Sequence, residues 1–294
     1  MPVEQKPQKQ QSTRRQGREA PPQPPPLAQR PLRQRRRIRH QIQHQQQQQA
    51  NHTTEWGALS SRLTAALKLA AAPIAIRFHA DAGEAGAERR AGDYPPPNAR
   101  GRTGQVPAGC VFWMEAANGT FSTAPADHAN CSVGSLTHGL IGLEEAATRD
   151  DVEAVLGAGW VDEAAVLALP VVSERPAAIV YGPLGEVGND ENPDVVLLRL
   201  NGRALMTLRD TFPDMAIEGK PQCHIVAMAK EQGRVAASVG CALSRTRTGM
   251  RPEEMTAVIP GARLAGAVDA LEATVALNGQ MASYAAADAR RFTA

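Results

Sequence analysis

The sequence lacks any long apolar run. No stretch approaches the roughly 18 to 20 uninterrupted apolar residues that a membrane helix needs. The N-terminus carries charge, but no apolar segment with a small-residue cleavage site follows it, so a secretory signal is not expected. We therefore expect a soluble, cytoplasmic protein with no membrane partner.

Common catalytic motifs are also missing. The chain has no Walker phosphate loop, no His-Glu-x-x-His metal helix and no Gly-x-Ser-x-Gly nucleophile elbow. Gly182, Gly185 and Gly188 follow a predicted strand, as the glycines of a dinucleotide loop would. However, they lead into the polar stretch 189–193 and not into a helix that could hold a pyrophosphate. We interpret this segment as a turn.

The first fifty residues differ in composition from the rest. They hold eleven Lys or Arg against two Glu and are rich in Gln and Pro, including prolines 24–26 and glutamines 45–49. Low hydrophobicity with high charge cannot supply a buried core. We predict a disordered, basic Gln/Pro/Arg-rich tail at residues 1–50 and a single globular domain at residues 51–294. Outside the tail the charge is reversed, with 21 basic residues against 28 acidic ones.

A dense cationic block in this tail would suit an anionic partner such as nucleic acid. The block consists of Arg33, Arg35, Arg36, Arg37 and Arg39. No aromatic residue lies among these arginines, so base stacking has no platform there and specific nucleic-acid binding is not expected. The simpler interpretations are a solvated extension without a specific partner, or a true start that lies downstream.

Apolar periodicity and capping residues predict several helices. They cover residues 56–67, 152–156, 162–169, 252–260 and 264–275. Thr53 and Thr54 can cap the first of these helices, and Pro73 lies beyond its end. Asn278 and Gly279 are expected to stop the last one.

Branched apolar runs predict strands at 73–79, 177–181 and 194–200. A hairpin is predicted from residues 225–228 and 235–239, with its turn at 231–233. The Gly-, Pro- and Arg-rich residues 83–107 indicate a flexible loop beside the first cysteine. Helices mixed with hairpin strands favour an α+β fold, or an irregular α/β fold, in which helices flank a mixed sheet.

The four cysteines are the strongest chemical lead in the chain. They form two pairs of similar separation: Cys110 with Cys131, and Cys223 with Cys241. Four thiolates can complete one tetrahedral metal site or hold an iron-sulfur cluster. The spacing lacks the short two-residue separation of a zinc knuckle, so four unrelated core cysteines also fit it. Glycines adjoin or lie near Cys110, Cys131 and Cys241, and would allow the backbone to turn tightly around a bound group.

The order of several short motifs resembles a known family. The motifs are the strand 73–78, Gly109-Cys110, Asn130-Cys131-Ser132-Val133-Gly134, the run 192–197, Cys223, Ser238-Val239-Gly240-Cys241 with Arg245, Pro252-Glu253-Glu254-Met255 and Ile259-Pro260-Gly261. In this order they resemble domain of unknown function family 169, a group of largely uncharacterised prokaryotic proteins, over roughly residues 55–280. The resemblance implies cysteines at the four positions above and polar residues at Arg77 and Arg245. It implies no activity.

These observations favour a metal-binding protein with a redox or ligand-binding role. Cys110, Cys131, Cys223 and Cys241 are the predicted ligands of an iron-sulfur cluster, with zinc as the alternative. Arg77 and Arg245 are the predicted cofactor-binding residues, and Arg245 would compensate the charge of a thiolate-bound cluster or hold an anionic ligand. The partner would be a small molecule or a redox protein, and the loop 83–107 would cover the site.

Two other functions remain open from the sequence. In the first, one thiol is a nucleophile, or two form a redox pair, with His224, His128 or His138 lowering the pKa of the thiol. In the second, the domain is a metal-free scaffold that binds a small molecule. No residue pattern identifies a substrate.

Overall fold

A computed structural model of the chain describes residues 54–89, 108–219, 221–248 and 250–292. The predicted tail at residues 1–50 lies outside these ranges, as does most of the predicted loop at 83–107. The helices of the described residues are α1 (Glu55–Leu67), α2 (Gly109–Glu115), α3 (Ser132–Thr137), α4 (Leu143–Ala147), α5 (Asp150–Gly157), α6 (Glu163–Leu167), α7 (Gly202–Thr211), α8 (Ile225–Gln232), α9 (Ala242–Thr248) and α10 (Leu264–Ala289). Short 3-10 turns connect several of them.

A seven-stranded mixed sheet runs through the described residues. Its strands are β1 (Ile74–His79), β2 (Phe121–Thr123), β3 (Ala178–Pro183), β4 (Val195–Leu200), β5 (Ala216–Glu218), β6 (Ala236–Ser238) and β7 (Met255–Pro260), in the spatial order β2-β3-β1-β4-β7-β6-β5. Only β5 and β6 pair in parallel, with α8 between them in the chain. The fold is therefore α+β, as the sequence predicts.

The sheet buries both of its faces, which explains why its central strands read as continuous apolar runs. Side chains alternate along β1 and β4, so Ile74, Ile76, Val195 and Leu197 lie on one face, while Ala75, Val196 and Leu198 lie on the other. The first face packs against residues of α2 and α8, and we call it the thiol face because two of the cysteines belong to its core. The second face is covered by α1, α7 and the first half of α10.

Helix α1 begins and ends where the sequence predicts. The hydroxyl of Thr54 accepts a hydrogen bond from the Gly57 N–H at 3.0 Å, which caps the helix. Leu59, Leu63 and Leu67 are buried at helical spacing against the sheet. The predicted strands at 73–79, 177–181 and 194–200 are likewise confirmed as β1, β3 and β4 within a few residues.

The predicted hairpin at 225–239 is wrong in its first half. Ile225–Gln232 is helix α8, and Gly233 ends it in the left-handed region at φ 62°. The glycine that the sequence suggests as a hairpin turn is thus a helix C-cap, whose N–H donates to the Met228 carbonyl. Only Ala236–Ser238, inside the second predicted arm, is a strand.

Two C-terminal predictions also need correction. The predicted short helix at 252–260 is strand β7, because Ala257 and Ile259 pack on one face of the sheet and Val258 on the other. The last helix does not stop at Asn278 and Gly279 but continues to Ala289. Its buried residues end at Leu271, so this extension adds exposed turns. Among the described residues, no helix is both long enough and apolar enough to cross a membrane.

Candidate functional site

All four cysteines line one pocket on the thiol face. Cys110, Cys131, Cys223 and Cys241 contribute to its wall, and the cavity measures about 40 Å³. Cys110 and Cys223 are buried, whereas Cys131 and Cys241 are partly exposed. All four are free thiols in this structure. The fold therefore brings together residues that are far apart in sequence, as the metal-site prediction requires.

Each thiol lies at the beginning of its own helix. Cys110 is in the first turn of α2, and Cys131 immediately precedes α3. Cys223 lies two residues before α8, and Cys241 immediately precedes α9. The backbone N–H of Ser244 donates to the Cys241 Sγ at 3.3 Å. The starts of four helices thus meet at one pocket, and the backbone there turns sharply enough to direct all four side chains inward.

A glycine makes room for one of the sulfurs. A Cβ atom at Gly134 would lie 3.3 Å from the Cys131 Sγ, which is tighter than an ordinary van der Waals contact. Gly134 belongs to helix α3, so neither a turn nor a positive φ accounts for the glycine. The glycine at position 134 is instead explained by the close approach of the Cys131 sulfur, which a side chain there would crowd.

Polar side chains from α9 and its surroundings border the thiols. Gln222 is buried, and its Nε2 donates to the Ser244 Oγ at 2.6 Å. Arg247 and Asp151 also line the pocket. Burial alone would lower the pKa of Arg247, but its contacts with Cys131, including a hydrogen bond, raise the pKa above its ordinary value. Arg247 is therefore the cation that lies against the thiols.

The sequence analysis does not identify Arg247, Ser244 or Gln222. A signal for two of them was available, because Ser244 and Arg247 follow Cys241 at intervals of three residues and so share one side of a helix. That signal required α9 to be recognised as a helix. Gln222 has no comparable sequence signal beyond its position next to Cys223.

Burial keeps three of the thiols protonated. It raises the pKa of Cys110 to about 12, and the neighbouring Cys131 sulfur adds to the effect. Burial likewise raises the pKa of Cys223 and of Cys241, each with a further contribution from Cys131. Unless a metal ion is bound, these three thiols are neutral near pH 7 and are weak nucleophiles.

Arg245 lies beside this pocket but binds backbone. Its Nη2 donates to the Val239 carbonyl at 2.7 Å and to the Glu254 carbonyl at 2.8 Å, while its Nη1 donates to the Arg251 carbonyl at 2.9 Å. These bonds tie the chain around α9 to the start of β7. The cofactor-binding role of Arg245 stays a prediction.

Arg77 lies on the opposite face of the sheet from the thiols. It follows Ala75 on β1 at a spacing of two, and its guanidinium pairs with the Glu191 carboxylate. The side chain is only 10% exposed. The structure thus separates the two predicted cofactor-binding arginines from each other, and Arg77 cannot reach a group held by the thiols. A cofactor-binding role for Arg77 on its own face stays a prediction.

All three histidines near the cysteines are buried. His138 Nδ1 lies 2.8 Å from the Gly134 carbonyl, and His128 Nε2 lies 2.9 Å from the Thr123 Oγ1. Burial lowers the pKa of His138 to about 4 and that of His128 well below its ordinary value. Both rings are therefore neutral near pH 7 and do not supply the positive charge that would activate a thiol. His224 lies 3.4 Å from a Glu218 carboxylate oxygen.

The thiols are not arranged around a single point. Among the described residues, no three Cys, His, Asp or Glu side chains are placed so as to hold one metal ion. A zinc ion bound by four thiolates requires all four sulfurs within about 2.3 Å of one centre. In an iron-sulfur cluster the four thiolates are divided among two or more iron atoms, so the sulfurs stand further apart. Four cysteine thiolates are a donor set that both iron-sulfur clusters and tetrahedral zinc sites use.

Comparison with protein families gives one match. The profile of domain of unknown function family 169, described as an uncharacterised ArCR, matches residues 62–270, which is well over half of the chain. The chain belongs to this family. The matched region of this family 169 protein contains all four cysteines together with Arg77, Arg245 and Arg247. Comparisons with curated proteins and with solved structures found no similar protein.

Proposed function

We propose that this protein binds an iron-sulfur cluster through Cys110, Cys131, Cys223 and Cys241, in a redox or ligand-binding role. One observation carries the proposal: four separate chain segments bring every cysteine of the sequence to a single pocket. Unrelated core cysteines have no reason to meet in this way. Their convergence therefore supports a shared ligand.

The protonation of the thiols adds support. Cys110, Cys223 and Cys241 are costly to ionise in the metal-free pocket because burial raises the pKa of each. A bound metal reverses this, since coordination to a cation deprotonates a thiol outright. Three thiols with raised pKa values are therefore better suited to holding a metal centre than to acting as bare nucleophiles.

Arg247 takes the charge-compensating role that the sequence analysis gives to Arg245. A cluster with four thiolate ligands carries net negative charge, and nearby charges and hydrogen bonds help to set its reduction potential. Arg247 is partly buried and already in contact with Cys131. The N–H of Ser244 offers a further hydrogen bond to the sulfur of Cys241. When bound, the cluster would supply one-electron transfer.

A metal-free binding scaffold is the second candidate, and the apolar part of the pocket favours it. Val133, Trp160 and Leu243 line the pocket together with the thiols. Such a wall would bind a small apolar molecule by burying its surface. This function needs neither metal nor ionised thiols, so the two candidates differ in metal content.

The decisive experiment is metal analysis of protein purified without oxygen. The full chain should show a broad visible absorbance near 400 nm from thiolate-to-iron charge transfer, with iron and sulfide in matching amounts. Replacing any one cysteine by Ser should lower both the cluster content and the thermal stability. Zinc without sulfide would support the mononuclear alternative.

Ser122→Ala is the matched control. Ser122 is buried on β2, and its hydroxyl donates to the Ala87 carbonyl at 3.0 Å. Its substitution should cost stability without changing the iron and sulfide content. A colourless, metal-free protein with four titratable thiols would contradict the cluster proposal and favour the scaffold.

A further inference from the structure

A second cavity lies on the face of the sheet opposite the thiols. It measures about 300 Å³, within the size range of small-molecule sites. Its floor is formed by β1 and β3, where Ala75 lies opposite Gly182 and Arg77 lies opposite Val180 in the register of the strands. Ala87 also lines it. The family match assigns nothing to this cavity.

The charges around the cavity are unusual for a structural void. Arg77 is about nine-tenths buried, and burying a guanidinium is costly unless it is paired. Its ion-pair partner is Glu191, whose side chain is 40% exposed. A guanidinium has five N–H donors and a single carboxylate engages two at most, so Arg77 retains donors beside the cavity.

Two carboxylates line the same cavity. Glu186 accepts a hydrogen bond from the Thr120 hydroxyl at 2.9 Å, and Glu191 accepts one from the Gly188 N–H at 3.3 Å. Partial burial alone would raise the pKa of Glu191, but the Arg77 guanidinium and the Gly188 N–H hold it below its ordinary value. The cavity therefore presents one buried cation and two hydrogen-bonded carboxylates around a floor of small apolar residues.

We propose that this cavity binds a small zwitterion of the α-amino acid class. The carboxylate of the ligand would take the donors of Arg77, and its ammonium group would lie with Glu186 and Glu191. Binding requires Glu191 to exchange Arg77 for the ligand ammonium group. Glu191 can do so because it lies on the solvent side of the ion pair, whereas Arg77 is fixed on the strand. After the exchange Arg77 remains paired with a carboxylate, and the ligand ammonium group lies between the two glutamates. The apolar floor of Ala75 and Val180 limits the ligand side chain to a small or medium apolar group.

The proposal is tested with the full chain and a panel of free amino acids. We expect one or more small apolar amino acids at millimolar concentration to raise the Tm, and calorimetry to give a measurable Kd. The matching methyl esters, which lack the carboxylate, and the N-acetyl derivatives, which lack the ammonium group, should bind at least about tenfold more weakly. Equal binding of free amino acids, esters and simple amines would overturn the assignment, as would no binding at all.

Three variants locate the site. Arg77→Gln and Glu186→Gln should each weaken binding at least about tenfold, since each removes one charged contact. Ala87→Leu should block binding by filling the cavity without changing any charge. It therefore keeps the test valid if Arg77→Gln fails to fold. Binding that survives all of the folded variants would overturn the proposal.

Arg199→Gln is the matched control. Arg199 lies on β4, is 20% exposed and donates to the Glu254 carboxylate at 2.6 Å, so it is a comparable arginine-glutamate pair on the same sheet. It does not line the cavity. Its loss should lower stability to a similar degree while leaving the Kd unchanged. This cavity is independent of the thiol pocket, so metal content does not affect the outcome.

Discussion

At the scale of single residues, the thiols of Cys110, Cys223 and Cys241 hold their protons because of where they are buried. Cys110 is 8% exposed, and burial raises the pKa of its thiol to about 12 from an ordinary value of 9.0. Arg247 contacts Cys131, but its positive charge does not bring the pKa of Cys110, Cys223 or Cys241 down to the ordinary value. The pocket therefore favours the protonated form of these three thiols over the thiolate form, unless a metal ion is bound.

This arrangement predicts that the metal-free protein loses stability at alkaline pH. The folded-state pKa of Cys110 lies above the unfolded value, so its contribution to stability is fully present below about pH 9. That contribution is lost as pH rises toward 12, because only the unfolded chain ionises in this window. The slope should not exceed about 1.4 kcal/mol per pH unit for this thiol.

Urea unfolding of reduced, chelator-treated protein between about pH 8 and pH 11 measures the effect. Cys110→Ser should flatten the dependence on pH. An identical profile in the wild type and in this variant would show that Cys110 is not a buried neutral thiol.

At the scale of elements, close backbone contacts fix how the connections join the sheet. Gly261 follows β7, and its N–H donates to the Asp194 carbonyl at 2.9 Å. A Cβ atom placed on Gly261 would overlap the Pro193 carbonyl oxygen at 1.7 Å. Backbone atoms cannot move aside as a flexible side chain can. The end of β7 can therefore approach the start of β4 this closely only because residue 261 is a glycine.

Gly261→Ala should lower the free energy of unfolding by about 3 kcal/mol, because the backbone must shift to relieve the overlap. Gly266→Ala, on α10, is the matched control. A Cβ atom at Gly266 meets nothing within 4 Å, so this change should stabilise the helix by up to about 1 kcal/mol. Denaturant unfolding measures both values. Similar effects of the two substitutions would mean that the contact with Pro193 has no energetic weight.

Sequence patterns predict the long central elements and misread the short ones. Strands β1, β3 and β4 are recognisable because burial on both faces selects continuous apolar residues. The buried run 225–229 gives no periodicity that separates a helix from a strand, and the glycine after it fits either a helix C-cap or a hairpin turn. The meeting of the four thiols depends on the order of strands in the sheet, which local patterns do not encode. A shared site for the four cysteines was predicted from their number and from the family resemblance, and not from any local pattern that shows how the chain brings them together.

At the scale of the whole molecule, the sheet carries a site candidate on each face. The thiol pocket lies with α2, α3, α8 and α9, whereas the Arg77 cavity lies beyond the other side of β1 and β3. Both depend on the sheet, and the helices that cover it begin with α1 at Glu55. Leu59, Leu63 and Leu67 of α1 pack in the core of the second face. The core described here draws on no residue before Trp56.

Deleting residues 1–50 should therefore leave folding intact, with the free energy of unfolding changed by no more than about 0.5 kcal/mol. Deleting residues 1–67 is the control, because it also removes the three buried leucines of α1, and it should abolish cooperative unfolding. Denaturant unfolding and gel filtration distinguish the two. Loss of cooperative unfolding after the shorter deletion would contradict the two-part organisation of the chain.

The placement of the thiols also sets an order of events during biosynthesis. In the chain, β3, β4 and β5 lie between Cys131 and Cys223. A nascent chain that has emerged only as far as β5 displays two thiols and lacks the other half of the pocket. A cluster held by all four thiols, as proposed above, would therefore be inserted only after α9 has left the ribosome, into a domain that is nearly complete. Insertion of the proposed cluster would accordingly be a late step, and truncated translation products would lack the full set of ligands.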